Sequence, residues 1–356
     1  MSKYIRISEA AKRLNVSKDT LRRWDKSGKF KCLRHPINNY RVYTEEQISD
    51  LVKEVEVLYK PNKSILDLNS PFLKTSHGTL YNCDCNDLLD SLDSNSVDLI
   101  FADPPYNIKK AEWDSFSSQK EYVEWSMEWI EKAERVLKDT GSIYICGFSE
   151  ILADIKWSSS KLFKGCKWLV WFYRNKANLG RDWGRSHESI LHFRKSKKFT
   201  FNQDPIRIPY NKHTLKYPKR KQADSSQYSN GNENGKNYTW EPHPLGAKPK
   251  DVLEIPTLSN GSWERFDHET QKPVELLKRI ILSSSNSTDI ILDPFGGSGT
   301  TYAVAEAFKR RWIGSELNKD YCHTIQQRLT DIEHINRIRE GEDDYSARQR
   351  RLELRG

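Results

Sequence analysis

The stretch VDLIFADPPY, residues 97–106, decides the fold of this chain. Its first six residues, Val97–Ala102, form an apolar run that predicts a buried β-strand, and the turn Asp103-Pro104-Pro105-Tyr106 follows at once. A second stretch, IILDPFGGSGT at residues 290–300, has a similar design. There a short apolar strand leads into Asp293 and a glycine turn that opens a helix. One strand end therefore offers an acid, rigid prolines and an aromatic ring, and the other offers a turn that a ligand can approach closely.

Strand and helix patterns alternate on both sides of these stretches. The predicted strands cover residues 79–82, 97–102, 141–147, 168–172, 189–193, 289–292 and 312–314. The predicted helices cover residues 86–92, 119–137, 273–282, 300–309 and 319–329. This alternation predicts an α/β fold, a doubly wound parallel sheet with helices on both faces.

Two segments depart from this pattern. Residues 195–262 are polar and carry a basic cluster formed by Lys216, Lys219, Arg220 and Lys221. A loop region of this length is either functional or disordered, and its basic cluster is a candidate contact surface for a polyanion. The tail, residues 331–356, is densely charged and is expected to be a solvated helix or disordered.

The first 60 residues predict a separate small domain. Ser8 can cap a first helix and Ser17 can cap a second helix from Lys18 to Lys26, because a side-chain oxygen at this position accepts a bond from a free backbone N–H. Gly28 is placed to end the second helix.

A hairpin and a third helix follow. Residues 30–43 predict two short strands that turn at Asn38-Asn39. Thr44 and Gln47 have the spacing of a capping box, which predicts a third helix to residue 60.

This segment, which reads ISEAAKRLNVSKDTLRRW from residue 7, resembles the winged DNA-binding domain of the MerR family. The resemblance implies a helix-turn-helix whose recognition helix, around Thr20–Trp24, enters the major groove. It also implies a wing around Arg41 that lies near the DNA backbone. The implied DNA contacts are Lys18, Thr20, Arg22, Arg23 and Arg41. The other interpretation is a small helical domain used for protein contacts.

Composition excludes several classes of protein. Charged residues make up 30% of the 356 residues and the mean hydropathy is −0.80, so a soluble protein is expected. No apolar stretch approaches the roughly 20 residues of a membrane helix, and the N-terminus lacks the apolar core of a signal peptide. We therefore expect a cytoplasmic protein with no membrane association.

The six cysteines indicate reduced, structural thiols. Cys83-Asp84-Cys85 is the one spacing that suggests a metal, but a zinc site needs two further ligands at suitable spacing. None is evident, so no metal is predicted.

Positive charge is concentrated in two segments. Residues 1–60 hold 14 Lys and Arg against 8 Asp and Glu, and residues 195–250 hold 12 against 4. The net charge of the whole chain is +9, so the remaining residues are net acidic. Basic segments outside the candidate catalytic core suit contacts with a polyanion, although solvated basic surfaces would have the same composition.

The glycine turn and a downstream acid indicate a nucleoside cofactor. Glu316 ends the predicted strand that follows the turn, where a carboxylate can hold ribose hydroxyls. The spacing of Phe295-Gly296-Gly297-Ser298-Gly299 differs from the dinucleotide pattern. S-adenosylmethionine, which has a ribose and no phosphate, fits this combination.

The motif at residues 103–106 suits transfer to an amine. The prolines fix the backbone and remove two N–H donors, so backbone carbonyls there are expected to accept bonds from an exocyclic amine. Asp103 can accept the other amine hydrogen, and Tyr106 can stack on a flat ring. Two acceptors that localise the nitrogen lone pair would favour its attack on a methyl sulfonium by positioning and electrostatics.

A base inside a duplex must be flipped out to reach such a site. The loop at residues 107–116, with Trp113 and Phe116, could close over the base. Trp171 or Tyr173 could form the opposite wall, although buried core aromatics are an equally good interpretation of both.

Residues 79–330 resemble the β-group of DNA amino-methyltransferases, chiefly N6-adenine enzymes of restriction-modification systems and orphan methylases. That group places the catalytic motif first, a target-recognition region next and the cofactor motif last, as here. Leu80–Cys85 and His268–Pro273 resemble two further motifs of the group, with Glu269 in place of the usual proline. Ser186-His187-Glu188 fits an internal segment whose role is structural or catalytic.

The resemblance implies a Rossmann-like methyltransferase fold with permuted motif order and S-adenosylmethionine as cofactor. The implied catalytic residues are Asp103, Pro104, Pro105 and Tyr106. The implied cofactor-binding residues are Asp84, Cys85, Thr270, Gln271, Lys272, Asp293, Phe295, Gly296, Gly297, Ser298, Thr300 and Glu316. Double-stranded DNA is the expected partner, with a cognate restriction endonuclease and a homodimer as further possibilities.

The predicted organisation has six parts. They are a helix-turn-helix domain (1–60), a linker (61–78), a catalytic part (79–194), a target-recognition region (195–262), a cofactor-binding part (263–330) and a charged tail (331–356). Asp rather than Ser at position 103 favours N6 of adenine over N4 of cytosine. A transcription regulator that senses S-adenosylmethionine, and a methyltransferase of RNA or protein glutamine, remain as alternatives.

Overall fold

The computed structural model describes residues 4–14, 18–28, 30–36, 38–50, 66–108, 114, 116–174, 181–221 and 239–341. The chain divides into two compact units, Met1–Ile65 and Leu66–Gly356. Ser17, Trp113, the end of the third helix and the end of the charged tail lie outside the described residues.

The smaller unit contains a three-stranded antiparallel sheet and short helices. Its elements in chain order are β1 (Ile5–Arg6), α1 (Ile7–Arg13), α2 (Lys18–Ser27), β2 (Leu33–Arg34), β3 (Arg41–Tyr43) and a helical segment at residues 45–50. The strand order is β1-β3-β2. Ala10, Leu21, Tyr43 and Ile48 are buried together and form its core.

Most of the local predictions for this unit are confirmed. Gly28 ends α2 with φ +79° and Asn39 turns the hairpin with φ +56°. In the capping box, the Gln47 backbone N–H donates to Thr44 Oγ1 at 3.1 Å, and the Thr44 N–H donates to Gln47 Oε1 at 3.0 Å. The prediction for Ser8 is wrong: β1 runs directly into α1 at Ile7, so Ser8 lies inside the first turn.

The larger unit is built on a nine-stranded sheet. Its strands are β4 (Leu73–Lys74), β5 (Gly78–Tyr81), β6 (Val97–Ala102), β7 (Leu137–Gly147), β8 (Gly165–Phe172), β9 (His187–Arg194), β12 (Val252–Glu254), β13 (Ile290–Asp293) and β14 (Arg311–Ser315). The strand order is β12-β8-β9-β7-β6-β13-β14-β5-β4. A separate antiparallel pair joins β10 (Arg220–Lys221) to β11 (Thr239–Trp240) inside the polar region.

Helices cover both faces of this sheet. They are α3 (Cys85–Ser91), α4 (Gln119–Val136), α5 (Ser149–Ser158), α6 (Lys212–Lys216), α7 (Val274–Ser284), α8 (Thr300–Ala307), α9 (Lys319–Thr330) and α10 (Ile332–Glu340). The predicted helices are confirmed to within a few residues at their ends, whereas α5 and α6 were not predicted. Helix α10 lies in the predicted tail.

The side chains of β6 show why two helical layers are needed. Leu99 and Phe101 pack into one core with residues of α7 and α8. Ile100 and Ala102 pack into the other core with residues of α3 and α4. Successive side chains of a strand point to opposite faces, so a strand that is apolar throughout must be covered on both sides.

The prediction of a wholly parallel sheet is wrong. Strands β5, β14, β13, β6 and β7 pair in parallel, but β9 is antiparallel to both β7 and β8, and β4 is antiparallel to β5. The apolar pattern of a strand is the same in both directions, so it carries no information about which way β9 runs. The direction depends on the connection that precedes the strand.

Candidate active site

A cavity of about 580 Å³ lies where β5, β6, β13 and β14 end. These strands are parallel, so their carboxyl ends meet at one edge of the sheet, which is where ligands bind in open α/β sheets. All of the predicted catalytic and cofactor-binding residues line this cavity. The structure therefore brings together side chains that are up to 232 positions apart in the sequence, between Asp84 and Glu316.

The glycine turn and Glu316 form one hydrogen-bonded unit. The Gly297 N–H donates to Glu316 Oε2 at 2.7 Å and the Asn318 N–H donates to Oε1 at 2.8 Å. Burial raises the pKa of Glu316. Gly297 has φ +51°, and a Cβ at this position would lie 3.1 Å from His268 Nε2. A glycine is therefore required here by both backbone conformation and space.

Asp293 lines the cavity but its carboxylate supports the turn. Oδ1 accepts the Phe295 N–H at 3.0 Å and Oδ2 accepts the Thr301 hydroxyl at 2.5 Å. Burial raises the pKa of Asp293 well above its usual value. The geometry thus gives Asp293 a structural role at the start of α8, and its contact with the cofactor stays a prediction.

Asp103 lies in a cluster of four hydrogen-bonded and charged groups. Its Oδ1 accepts the Tyr106 hydroxyl at 2.7 Å, and its Oδ2 accepts a bond from Lys272 Nζ at 2.6 Å. Glu188 Oε2 lies 3.1 Å from the Tyr106 hydroxyl oxygen and 3.5 Å from Lys272 Nζ. We call Asp103, Tyr106, Glu188 and Lys272 the acid cluster.

Burial and neighbouring charges have opposite effects on the pKa of Lys272. Its side chain is only 6% exposed, and burial alone would lower its pKa. The carboxylates of Asp103 and Glu188 outweigh burial and raise the pKa of Lys272 above its usual value. Lys272 therefore remains a cation at any physiological pH, and its ammonium neutralises one of the two negative charges beside it.

Neighbouring groups fix the backbone of the 103–106 motif. The Tyr106 N–H donates to Asp114 Oδ1 at 2.6 Å. The Tyr122 hydroxyl donates to the Pro105 carbonyl at 2.6 Å, so this carbonyl is occupied, contrary to the expectation that both were free. Among the described residues no donor is recorded on the Pro104 carbonyl, which leaves it as the backbone acceptor of the motif.

The segment before α7 is braced by side chains that were expected to contact the cofactor. Gln271 Nε2 donates to the Glu264 carbonyl at 2.5 Å, and its Oε1 accepts the Phe266 N–H at 2.8 Å. Both ends of the Gln271 amide are therefore used within the protein. Thr300 Oγ1 donates to the Lys272 carbonyl at 3.0 Å, which ties the glycine turn to the segment that carries Lys272.

Arg328 supports the same turn, a role that no motif in the sequence indicated. Its guanidinium is fully buried. Nη1 donates to Thr300 Oγ1 at 2.8 Å and to the Ser298 carbonyl at 3.1 Å, and Nε donates to His334 Nε2 at 3.1 Å. A basic residue in a helix of mixed polarity is usually exposed, so the sequence pattern could not reveal this role.

The aromatic walls differ from the expectation. Trp171 and Tyr173 are buried in the core and do not line the cavity. Phe148 lines it, with its ring centroid 5.1 Å from that of Tyr106, and the Arg185 guanidinium carbon lies 3.7 Å from the Phe148 centroid. Phe116, which was predicted to cover the base, lines the cavity as well.

The candidate DNA contacts have varied surroundings. Arg41 Nε pairs with Asp25 Oδ2 at 2.7 Å, so this wing residue is held within its own unit. Lys216 is exposed, and Lys219 pairs with Glu241 at 3.0 Å. Arg22 is exposed on α2. The backbones of Lys18, Thr20 and Arg23 lie in α2 and those of Arg220 and Lys221 in β10, and their side chains lie outside the described residues.

The described residues contain neither a metal-binding cluster nor a membrane-spanning helix. No group of three or more His, Cys, Asp or Glu side chains there is arranged to hold a metal ion. Within the same part of the chain, no helix has both the length and the apolar character needed to cross a bilayer.

A sheet with helices on both faces, and an acidic motif beside a glycine turn at one sheet edge, define a Rossmann-like methyltransferase. The DNA methylase family model matches residues 97–327. The type II methyltransferase M1.MboII of Moraxella bovis is 34% identical over 71% of this chain and 97% of its own length. The DNA adenine methyltransferase YhdJ of Escherichia coli is 37% identical over 70% of this chain and 81% of its own length.

A solved structure has the same fold. The PvuII DNA methyltransferase, described as cytosine-N4-specific, superposes with a TM-score of 0.56 at 20% identity, over 76% of this chain and 96% of its own. The chain belongs to the DNA methylase family, whose members modify an exocyclic amine of adenine (N6) or cytosine (N4). S-adenosylmethionine is its cofactor. The MerR regulatory family model matches residues 6–43 of the smaller unit.

The acid cluster leads to a prediction about stability. Substitution Lys272→Met removes the ammonium and leaves two largely buried carboxylates without their cation, which typically costs about 3–5 kcal/mol. The loss should shrink in a Glu188→Gln background, because only one carboxylate then lies beside the missing cation. Urea unfolding of the single and double variants measures this difference, with Lys120→Met in the first turn of α4, where the side chain is 83% exposed, as control. An equal loss in both backgrounds would contradict the charge argument.

Proposed function

We propose that this protein methylates N6 of a flipped adenine in double-stranded DNA. The observation that carries the proposal is the position of Asp103 and the Pro104 carbonyl in the same cavity as the glycine turn and Glu316. Two acceptors for one amine therefore lie within reach of the cofactor site. Asp at position 103 and the 37% identity to a DNA adenine methyltransferase support adenine as the base.

The residues of the cavity fit S-adenosylmethionine. Glu316 presents a carboxylate whose two oxygens are already oriented by backbone N–H groups, and such oxygens can each accept a further bond from a ribose hydroxyl. Phe295 is partly exposed to the cavity and offers an apolar face for a purine. The side chain of Asp84 accepts the Asn86 N–H through Oδ1, which leaves Oδ2 for a polar edge of the ligand.

The residues of the protein position the amine for methyl transfer. S-adenosylmethionine, when bound, supplies a methyl group on a positively charged sulfur. Asp103 and the Pro104 carbonyl accept the two amine hydrogens, which localises the nitrogen lone pair. The acid cluster carries two carboxylates and one ammonium, so its net negative charge complements a cationic cofactor without a metal ion.

Methylation of cytosine at N4 is the second candidate. The fold match to a cytosine-N4-specific enzyme favours it as the alternative, since the same acceptors would serve either amine. The recognised DNA word is expected to depend on the polar region that contains β10 and β11.

We assign DNA contact to the smaller unit. Its helices α1 and α2, its hairpin and its similarity to the MerR family support a winged helix-turn-helix. The relatives described as type II methyltransferases support a role in a restriction-modification system. DNA methylated by this protein should then resist a cognate endonuclease that cuts the same word, and cleavage at the modified sites would exclude that role.

Nucleoside analysis tests the reaction. Plasmid DNA incubated with the protein and S-adenosylmethionine should contain N6-methyladenine when analysed by mass spectrometry. Asp103→Ala should lower methyl transfer by at least about 100-fold while cofactor binding, measured by calorimetry, stays within a few-fold. Detection of N4-methylcytosine instead would identify cytosine as the target base. An active Asp103→Ala variant would refute the catalytic assignment.

Deletion of residues 1–65 tests whether the smaller unit contacts DNA. Phosphate contacts release counterions, so losing them should weaken DNA binding and flatten the dependence of log affinity on log salt concentration. Fluorescence anisotropy at several salt concentrations measures the slope for the full chain and the deletion variant. An unchanged slope would assign the unit to protein contacts.

Substitution of Trp183 tests whether the protein flips the target base. Its side chain is 96% exposed, two positions before Arg185, whose guanidinium covers the cavity residue Phe148. An exposed aromatic ring can stack on bases at a flipping site, which is typically worth about 1–3 kcal/mol. Trp183→Ala should reduce both DNA affinity and the fluorescence increase of 2-aminopurine at the target position.

Trp157 provides the matched control. It is 83% exposed at the end of α5. The helical rise places it about 12 Å along the helix from Ser149, the residue that follows the cavity residue Phe148. Trp157→Ala should leave both readouts unchanged. Equal effects of the two substitutions would remove the special role of Trp183.

A further inference from the structure

Glu188 is a largely buried carboxylate that has no role in the proposed positioning of the amine. It is the second residue of β9, it lines the cavity, and its side chain is only 14% exposed. Its Oε2 lies 3.1 Å from the Tyr106 hydroxyl and 3.5 Å from Lys272 Nζ. A buried carboxylate is costly, so its position in the cavity calls for a role.

Methyl transfer to an amine creates a need for a proton acceptor. The nitrogen starts with bonds to the ring carbon and to two hydrogens, and the bond to the methyl carbon is its fourth. It must therefore release one proton to become a neutral secondary amine. Asp103 is the carboxylate that the proposed function assigns to that amine. Its Oδ1 is joined to the Tyr106 hydroxyl at 2.7 Å, and that hydroxyl is joined to Glu188.

We propose that Glu188 is the final acceptor of this proton, reached through Asp103 and Tyr106. This inference rests on the proposed function. As the nitrogen–carbon bond forms, the bond from the methyl carbon to the cofactor's sulfur breaks, and its electron pair stays on the sulfur, which becomes neutral. The proton leaves the nitrogen for Asp103 Oδ1, and its bonding electrons stay on the nitrogen. The Tyr106 hydroxyl turns toward Glu188, takes the proton from Oδ1 and gives its own proton to Oε2. Asp103 is again ionised, Tyr106 is unchanged, and Glu188 is neutral.

The properties of Tyr106 support a relay in which both transfers occur together. Burial, followed by the charges of Asp103 and Glu188, raises the pKa of Tyr106 well above its usual value. A free phenolate is therefore unfavourable, and Tyr106 can pass a proton on only if it receives one at the same time. Glu188 is Tyr106's other carboxylate partner.

The other groups near Glu188 do not compete for the proton. Lys272 stays protonated, because the two carboxylates outweigh burial and raise its pKa. Burial raises the pKa of the Cys146 thiol well above its usual value and that of Tyr173 to about 12. The charge of Glu188 raises the pKa of each of these three groups and of Tyr106.

The test uses the full chain and single-turnover kinetics. Glu188→Gln keeps the shape and a hydrogen-bond acceptor but removes the basic group. Its single-turnover methylation rate should fall by about 100-fold, the lower range for a lost general base, while affinities for S-adenosylmethionine and DNA remain within a few-fold. Glu254→Gln, an exposed carboxylate on β12 paired with Arg174, is the control and should behave as wild type.

Two further readouts separate a relay from a structural role. The wild-type rate should fall more steeply with acidification than that of Glu188→Gln, because two carboxylates must be ionised in the wild type and one in the variant. Tyr106→Phe should slow the reaction as well, and the double variant should be no slower than the slower single variant, since both interrupt one path.

The outcomes distinguish the relay from the proposed function. If the wild type produces no methylated base, the proposed function fails and the relay with it. If the wild type methylates DNA while Glu188→Gln keeps its rate and its pH profile, only the relay is overturned. Additive losses in the double variant would overturn it as well and would leave Glu188 as a residue that positions Lys272.

Discussion

The parallel pairing of β6 with β13 is the constraint on which the site depends. Leu99 and Ile100 pair with Ile291 and Leu292, so residues that lie 192 positions apart in the sequence are side by side in the sheet. The Ile290 N–H also donates to Asp98 Oδ2 at 2.9 Å, which fixes the register at the start of the pair. Because the strands are parallel, the acidic motif and the glycine turn leave the sheet at the same edge. A shift of one residue would turn the apolar side chains of either strand to the wrong face.

The acid cluster connects the two halves of the site. Lys272 precedes α7 in sequence, yet its ammonium binds the carboxylate that follows β6. Its own backbone is held by Thr300, which in turn is held by the buried Arg328. Changes in α9 can therefore reach Asp103 through Arg328, Thr300 and Lys272. Such a chain of contacts keeps the acceptor oxygens in place before any ligand binds, as electrostatic preorganisation requires.

Several features of the fold could be predicted because they depend on local physics. The strand at Val97–Ala102, the end of α2 at Gly28 and the capping box at Thr44 follow from apolar runs, positive φ and reciprocal side-chain caps. The direction of β9 could not be predicted, since its pattern reads the same both ways. The start of α1 could not be predicted either, because pairing of β1 with β3 brings the chain into the helix at Ile7.

The sequence by itself determined the motifs, their order and the cavity residues that they supply, because glycine, proline and carboxylate side chains are tied to particular backbone geometries and chemistries. Only the tertiary structure decided how each of them is used. It turned Gln271 and Asp293 into supports of the backbone, occupied the Pro105 carbonyl with Tyr122, and placed Glu188 and Arg328 at the site. The physical reason is that hydrogen bonds and ion pairs between distant segments depend on distances of a few ångströms, which arise only when the sheet is assembled.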